Sequence, residues 1–374
     1  MKIDSVELRE IRLPLREPFV TSSGRWHIRS ILLVRVRGEG LEGWGECVAA
    51  EDPGYSYETS ETAWHVLTEH LLPGLVGREV MGPGEVLDHA PHVRGHRMAK
   101  AAMEMAVWDL HARAVGVPLW EMLGGSGAPV PVGVSIGLQA GNDALLRKVE
   151  GYLEEGYRRI KVKVKPGRDV AMLRAVRDRF GDVPLMADAN SAYTLGDLPM
   201  LKEMDDLELL MIEQPLGHED LLDHAALQAE LRTPVCLDES IRSVGDVRLA
   251  LHLDAGRIIN IKPGRVGGLA ESRAIHDVCR EAGVPVWCGG MLESGIGRAF
   301  NVALAGLPGF TLPGDLSGSR RYWEEDIVSP EWEPVDGYMG PVDGPGIGVE
   351  LRMDRIEALT RRRVEFPGGT LIRP

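Results

Sequence analysis

The feature that most constrains the fold of this chain is an alternation that begins near residue 130. Short apolar runs of β type are each followed by a stretch with the polar and apolar spacing of a helix. Alternating strands and helices predict a parallel sheet with right-handed crossovers. The runs, of which the last is the weakest, are 130–137, 159–166, 184–190, 208–215, 234–240, 257–263, 284–290 and 309–315.

Two architectures share this alternation, a closed barrel and an open doubly wound sheet. Eight strands are enough to close a barrel, and the first unit has no GxGxxG turn of the kind that opens many doubly wound sheets. We therefore predict an α/β fold built on a modified TIM-type (β/α) barrel of about seven to eight units.

The chain before residue 130 has a different pattern. Residues 3–15 and 30–50 alternate apolar and charged positions around a Gly-Glu-Gly turn, which predicts an antiparallel meander. Helical patterns follow at 58–70 and 97–115. The glycine-containing stretch 121–129 is a plausible boundary between this region and the barrel.

These patterns divide the chain into three predicted parts. An α+β capping domain occupies 1–125, and a (β/α) barrel catalytic domain occupies 126–320. A C-terminal segment, 321–374, lacks the repeat, and we expect it to pack back on the capping domain and complete it.

Charge and cysteine usage narrow the class of protein. The formal net charge of −14 argues against nucleic acid as a partner. No run is apolar for long enough to cross a bilayer, and the N-terminus has no apolar export-signal core. The cysteines, Cys47, Cys236, Cys279 and Cys288, lack CxxC spacing, which predicts buried free thiols in a reducing cytoplasm.

Charged side chains end the apolar runs at a regular spacing. Lys163, Asp188, Glu213, Asp238 and Lys262 follow one another at intervals of 25, 25, 25 and 24 residues, which is one strand and one helix per step. In a parallel barrel, the C-terminal ends of the strands carry the active site. The spacing therefore predicts that these side chains meet at the mouth of the barrel.

The three acids of this series, Asp188, Glu213 and Asp238, indicate a metal site. Each follows apolar residues, and buried carboxylates that face each other need a cation to offset their repulsion. Oxygen ligands on a rigid scaffold favour Mg²⁺, and they fit Mn²⁺ or another divalent ion as well. Taken singly, each acid is equally well explained by a salt bridge to a neighbouring lysine.

The two lysines of the series, Lys163 and Lys262, would flank the acids from opposite sides. Two bases that face each other across one carbon can remove a proton from one side and return it to the other. That role requires a depressed lysine pKa, and Lys161, Arg265 and a bound divalent ion would each act in that direction. The alternative is that alternating lysines such as Lys161 and Lys163 protect an exposed edge strand, and that Arg265 binds an anion or is solvated.

Five motifs resemble the muconate-lactonising subgroup of the enolase superfamily over nearly the whole chain. They are KxK at 161–163, DAN at 188–190, EQP at 213–215, DES at 238–240 and NIKPGRVGG at 260–268. The segments 284–301 and 312–327 resemble the N-succinylamino acid (N-acylamino acid) racemases and the o-succinylbenzoate synthases of that subgroup.

The resemblance implies a Mg²⁺-dependent enzyme that removes the α-proton of a small carboxylate substrate through an ene-diolate. Lys163 and Lys262 would exchange the proton in a racemase. In a synthase, which belongs to menaquinone biosynthesis, Lys163 would be base and then acid in a syn dehydration. A homo-oligomer is also implied.

Further residues are candidates for substrate contact or for supporting the site. Ser135 and Asn190 lie at predicted strand ends, although a local cap or turn explains each equally well. Met291, Glu293 and Ser294 follow the seventh run, and Phe19 with the loop 21–24 is expected to close over the mouth.

Several rival functions share parts of this pattern. A dipeptide epimerase is expected to carry an acidic DxD at the eighth strand, and here Asp315 is followed by Leu316 and Ser317. Acid-sugar dehydratases more often have histidine where Lys262 stands, whereas a muconate cycloisomerase would keep every catalytic residue. A pyridoxal phosphate enzyme and a non-catalytic metal-binding scaffold are the alternatives from other classes.

Overall fold

The protein is described here from a computed structural model. It describes residues 1–20 and 24–367 together with the backbone of 371–372. Residues 21–23 of the predicted closing loop lie outside the described residues.

The N-terminal region is built on a five-stranded antiparallel sheet. Three strands come from the beginning of the chain, β1 (Ser5–Val20), β2 (Arg25–Gly38) and β3 (Leu41–Cys47). Two more come from its end, β15 (Thr360–Phe366) and β16 (Leu371–Ile372), and β15 pairs with β1 so that Val364 lies opposite Leu8. The strand order is β16-β15-β1-β2-β3.

Helices pack against this sheet. They are α1 (Ser60–Val66), a π-helical turn (Leu67–Leu71), a 3-10 helix (Pro83–His89), α2 (Arg97–Val115) and α3 (Leu119–Leu123). A Cβ at Gly43 or Gly45 of β3 would collide with the main chain of α2 at Ala106 or Ala102. Glycine at these positions therefore allows α2 to approach β3 closely.

The barrel contains seven parallel strands within the described residues. They are β5 (Val134–Ile136), β6 (Ile160–Lys163), β7 (Leu185–Asp188), β8 (Ile212–Glu213), β9 (Val235–Leu237), β10 (Ile258–Ile261) and β11 (Val286–Cys288). Each strand pairs with the next one in sequence, which is the order of a barrel and not of a doubly wound sheet.

The eighth predicted run does not form a ladder. It makes isolated parallel bridges to both ends of the sheet, Phe310 to Val286 and Gly314 to Val132. The ring is thus closed by an irregular segment, and the prediction of a modified (β/α) barrel with a capping domain is confirmed.

Helices connect the barrel strands. They are α4 (Asn142–Glu154), α5 (Val170–Phe180), α6 (Leu198–Asp205) after a 3-10 turn (Leu195–Asp197), α7 (Leu222–Glu230), α8 (Val244–Leu253), α9 (Pro263–Val266), α10 (Leu269–Glu281) and α11 (Gly295–Ala305). Helix α8 shows how sequence sets a boundary, because the Ser243 side chain accepts a hydrogen bond from the Asp246 amide at its first turn.

Short elements complete the chain. Strand β4 (Val130–Pro131) pairs with β13 (Tyr338–Met339), and β12 (Val328–Ser329) pairs with β14 (Glu350–Leu351). A 3-10 turn (Ser319–Arg321) and α12 (Met353–Leu359) are the remaining helical elements.

An apolar layer fills the barrel interior beneath the strand ends. Met186, Met211, Cys236, Ile258 and Trp287 pack together there. Asp188, Glu213 and Asp238 each lie two residues after a member of this layer, so period two places them on the same interior face, one level higher.

The prediction of buried free thiols is confirmed, because all four cysteines are unpaired and buried. Within the described part of the chain, no helix has the length and apolar character needed to span a bilayer.

Candidate active site

Three acidic side chains lie at neighbouring strand ends. Asp188 is the last residue of β7, Glu213 is the last residue of β8, and Asp238 directly follows β9. Asp188 and Glu213 are partners across the sheet, and none of the three residues is more than 1 % exposed. The barrel therefore gathers three buried carboxylates at its C-terminal end.

Basic side chains from nearby strand ends neutralise these acids. The pairs are Lys163 Nζ with Asp188 at 2.6 Å, Lys161 Nζ with Glu213 at 2.9 Å and Lys262 Nζ with Asp238 at 2.6 Å. Arg265 forms a second ion pair with Asp238. Buried charges are stable only when paired in this way.

The carboxylates also influence one another. Burial raises the pKa of Glu213 well above its usual range. The charges of Asp188 and Asp238 raise this pKa as well, and their combined effect exceeds the opposing effect of Lys161. Burial also opposes ionisation of Asp188 and Asp238, but Lys163 beside the first and Lys262 beside the second hold their pKa values below the usual range.

The acids around Lys262 oppose the depressed lysine pKa that was predicted for a site holding a divalent ion. Burial disfavours its ammonium form, but the carboxylate of Asp238, with Tyr55 and Glu213, outweighs burial and raises the pKa. Arg265 does act in the predicted direction, yet its effect is smaller. The predicted depression rests on the positive charges near Lys262, whereas the acid that pairs with its ammonium acts in the opposite direction.

Both predicted catalytic lysines face one cavity between the barrel mouth and the capping domain. The cavity has a volume of about 100 Å³. Its barrel side includes Lys163, Asn190, Lys262 and residues 290–292, and its other wall includes Phe19. Asn190 accepts a hydrogen bond from Lys163 at 2.6 Å and donates one to Glu239 at 3.0 Å.

Capping-domain residues that the sequence argument did not single out form much of this cavity. Trp26, Arg29, Val48, Ala50 and Tyr55 line it. The Tyr55 hydroxyl lies 3.0 Å from Asp238 Oδ1 and 3.1 Å from Lys262 Nζ. No repeat or spacing in the sequence marks these positions, because they reach the site only through the packing of two domains.

Some predicted site residues lie around the cavity and not on it. Lys161 and Arg265 are buried among the acids, and Ser135 is buried within β5. Glu293 accepts a hydrogen bond from the Met291 amide at 2.8 Å, and Ser294 caps α11. A serine just before a helical stretch is a capping signal that the sequence could have supplied.

Asp315, at the eighth-strand position, faces the barrel interior. It forms ion pairs with Arg159, at 2.8 Å, and with Lys161. Both basic side chains also lie over the Trp287 ring. The carboxylate of Asp315 is therefore already paired with basic side chains of the protein, which further argues against binding of a substrate amine at this position.

Family comparison covers both domains. Residues 3–124 match the family described as "Mandelate racemase / muconate lactonizing enzyme, N-terminal domain", and residues 144–355 match the family described as "Enolase C-terminal domain-like". The chain belongs to the enolase superfamily.

Individual relatives of this superfamily member match over nearly its full length. An o-succinylbenzoate synthase of Geobacillus kaustophilus is 52% identical, with 96% of each chain covered. An N-succinylamino acid racemase of Thermus thermophilus is 51% identical, covering 96% of this chain and 98% of the relative. A solved structure of an enolase-superfamily member from Listeria innocua superposes with a TM-score of 0.94 at 42% identity, covering 98% and 99% of the two chains.

These relatives place the chain among enzymes. The prediction of an enzyme in the group of N-acylamino acid racemases and o-succinylbenzoate synthases is confirmed. The general reaction class of this superfamily member is therefore that of the racemases and synthases it resembles.

The donor set of this enolase-superfamily enzyme fits a hard divalent cation in its chemistry. Asp188, Glu213 and Asp238 offer only carboxylate oxygens and are buried, and their mutual repulsion adds to the effect of burial in raising the pKa of Glu213. Among residues 1–20 and 24–367, no three potential ligand side chains are already arranged around one point, because each acid instead contacts lysine or arginine.

Proposed function

We propose that this enzyme removes the α-proton of a carboxylate substrate and forms an ene-diolate. The products would be the racemised N-succinyl or N-acyl amino acid, o-succinylbenzoate formed by dehydration, or both. The observation that carries the proposal is that Lys163 and Lys262 line one cavity from positions on either side of the Asp188, Glu213 and Asp238 strand ends.

In racemisation, each lysine would serve one face of the substrate. A neutral lysine takes the α-proton and becomes an ammonium, leaving the electron pair on the substrate as an ene-diolate. The opposite ammonium then donates its proton to the other face of the same carbon. Lys163 ends β6 and Lys262 directly follows β10, so the two side chains reach the cavity from different strands.

In dehydration, one lysine would act twice. Lys163 would remove the α-proton and then return it to the departing hydroxyl group, which leaves as water from the same face. Lys262 would remain an ammonium and stabilise the negative charge of the ene-diolate.

Asp188, Glu213 and Asp238 would hold Mg²⁺, and Mn²⁺ fits the same donors. When bound, the ion would neutralise these carboxylates, hold the substrate carboxylate and lower the pKa of the neighbouring ammonium groups. The chain itself supplies the closed surroundings, since Phe19 and Trp26 of the capping domain line the cavity opposite the lysines.

The biological setting is inferred from the relatives and the family resemblance. We infer a cytoplasmic homo-oligomer, and for the synthase activity a role in menaquinone biosynthesis. We also propose the division into 1–125, 126–320 and 321–374, which the pairing of β15 with β1 supports.

The proposal is tested with N-succinyl-L-phenylalanine in D₂O. We expect the wild-type enzyme with Mg²⁺ to exchange the α-hydrogen for deuterium and to racemise the substrate. A chelator should stop both reactions, and added Mg²⁺ should restore them. Absence of exchange, together with no dehydration of the o-succinylbenzoate precursor, would contradict the proposed function.

A further inference from the structure

One wall of the cavity has a strained main chain. This segment, residues 290–292, is here called the pocket wall, and all three of its residues line the cavity. Leu292 has a φ of 57°, in the left-handed region that a branched side chain rarely adopts. Strain of this kind persists only where surrounding contacts fix the conformation. The pocket wall therefore needs anchors.

The first anchor is Arg29, on β2 of the capping domain. Its guanidinium donates to the carbonyl of Met291, at 3.3 Å, in the middle of the pocket wall. It also donates to the carbonyls of Val48 and Ala49, which follow β3. Arg29 is 4 % exposed, so one buried side chain ties the pocket wall to two strands of the capping sheet.

The second anchor is Glu46, on β3 of the same sheet. Its carboxylate accepts hydrogen bonds from the Ser294 amide at 3.1 Å, the Ser294 hydroxyl at 2.5 Å and the Gly297 amide at 3.0 Å. These groups form the start of α11, directly after the pocket wall. Glu46 is completely buried and thus fixes the end of the wall against the capping domain.

The two anchors are electrostatically linked. Burial lowers the pKa of Arg29, and the carboxylates of Glu46 and Glu293 oppose that effect. Glu293 itself bonds the Met291 amide at 2.8 Å and Asn301 at 2.9 Å, so the barrel holds the other side of the same segment. Removing one of these side chains would leave its buried hydrogen-bond partners unsatisfied.

We propose that Arg29 and Glu46 are positioning residues that set the substrate selectivity of the enzyme by fixing the pocket wall. The capping domain would then fix the conformation of the pocket wall, which belongs to the barrel, in addition to covering the barrel mouth. This inference rests on the proposed function for the class of substrate, an N-acyl amino acid whose side chain lies against residues 290–292.

The matched control is Glu104, a second buried carboxylate of the capping domain. On α2, it accepts hydrogen bonds from the amides of Leu269 and Ala270, both at 2.9 Å, at the start of α10. It thus makes the same kind of bond between the domains as Glu46 but has no contact with the pocket wall. Glu104→Gln and Glu46→Gln both keep the side-chain shape and remove one carboxylate.

The experiment compares these variants and Arg29→Lys with the wild type in two measurements. The first is amide hydrogen exchange of peptides that cover 289–298 and 266–272. The second is the ratio of kcat/KM for racemisation of N-succinylphenylalanine and N-succinylalanine. We expect Glu46→Gln and Arg29→Lys to speed exchange at 289–298 and to change the ratio by about fivefold or more. Glu104→Gln should speed exchange at 266–272 and leave the ratio within about twofold.

The outcomes separate the inference from the proposed function. Faster exchange at 289–298 with an unchanged ratio would overturn the inference, and so would equal shifts of the ratio in the Glu46 and Glu104 variants. Unchanged exchange at 289–298 in Glu46→Gln would overturn it without any activity measurement. A wild-type enzyme that fails to racemise either substrate would contradict the proposed function, and the exchange result would still decide whether Glu46 fixes the wall.

Discussion

The side chain of Lys262 contacts residues of both domains. The barrel supplies Asp238, 2.6 Å from its Nζ, and the capping domain supplies Tyr55, whose hydroxyl lies at 3.1 Å. The same Nζ lies 4.8 Å from the centre of the Tyr55 ring. A lysine that shuttles protons needs a fixed position, and these two side chains restrain it.

Removing the Tyr55 hydroxyl tests this restraint. We expect Tyr55→Phe to lower kcat/KM for racemisation by about tenfold, mainly through kcat, because a hydrogen bond to Lys262 and one to Asp238 are lost. The ring remains, so thermal unfolding should change little. Tyr57→Phe is the control, since Tyr57 is 53% exposed and should tolerate the change. Equal kcat/KM in the wild type and Tyr55→Phe would show that the hydroxyl plays no part.

At the scale of single residues, the sequence predicts which side chains belong to the site better than it predicts what surrounds each of them. Period two correctly groups Lys161 and Lys163 on one face of β6, but it does not distinguish Lys161, buried among three acids, from Lys163, which lines the cavity. For the same reason the sequence did not reveal that neighbouring acids raise the pKa of Lys262. Charges from other strands decide it, and their distances appear only in the folded chain.

At the scale of secondary-structure elements, the starts of α10 and α11 are two points at which the capping domain contacts the barrel. Glu104 of α2 accepts hydrogen bonds from the first amides of α10, and also from Trp108 Nε1 at 2.6 Å. A helix N-terminus stabilises a carboxylate, and the hydrogen bonds that Glu104 accepts lower its pKa. Complete burial outweighs these effects and raises the pKa of Glu104 to about 7.

This shift predicts a pH dependence of stability. Between pH 4.5 and 7, the carboxyl of Glu104 ionises in the unfolded chain and stays protonated in the folded one, so its contribution to stability is lost as pH rises. The loss is complete above the folded pKa and amounts to about 3 kcal/mol. Glu104→Gln does not titrate. The wild-type free energy of unfolding by urea, relative to that of the variant, should therefore fall from pH 5 to pH 8. A difference in free energy of unfolding that stays constant or rises between pH 5 and pH 8 would contradict this prediction.

The strands were more predictable than the elements that join the domains. One strand and one helix per 24 or 25 residues suffices to place Asp188, Glu213 and Asp238 on neighbouring strand ends. The eighth run was harder, because 309–315 closes the ring through single bridges and not a ladder. Ser294 was taken for a pocket residue because it follows a strand, although the helix after it uses its hydroxyl as a cap.

The whole molecule makes its site from two domains with different tasks. The barrel supplies acids and lysines at adjacent strand ends, and the capping domain supplies the opposite wall of a cavity of about 100 Å³. Buried polar side chains of the capping domain, Arg29, Glu46 and Glu104, contact barrel segments at three points. Such contacts between distant parts of the sequence cannot be recognised from periodicity, which explains why the sequence predicted the barrel side of the site but only Phe19 on the capping side.

The central claim is that Lys163 and Lys262 act on opposite faces of one carbon. The most direct test follows α-hydrogen exchange in D₂O separately for each enantiomer of N-succinylphenylalanine, with Lys163→Ala and Lys262→Ala. We predict that neither variant racemises, and that each still exchanges one enantiomer, the opposite one in the two variants. Racemisation at the wild-type rate by either variant, or exchange of the same enantiomer by both, would contradict the account.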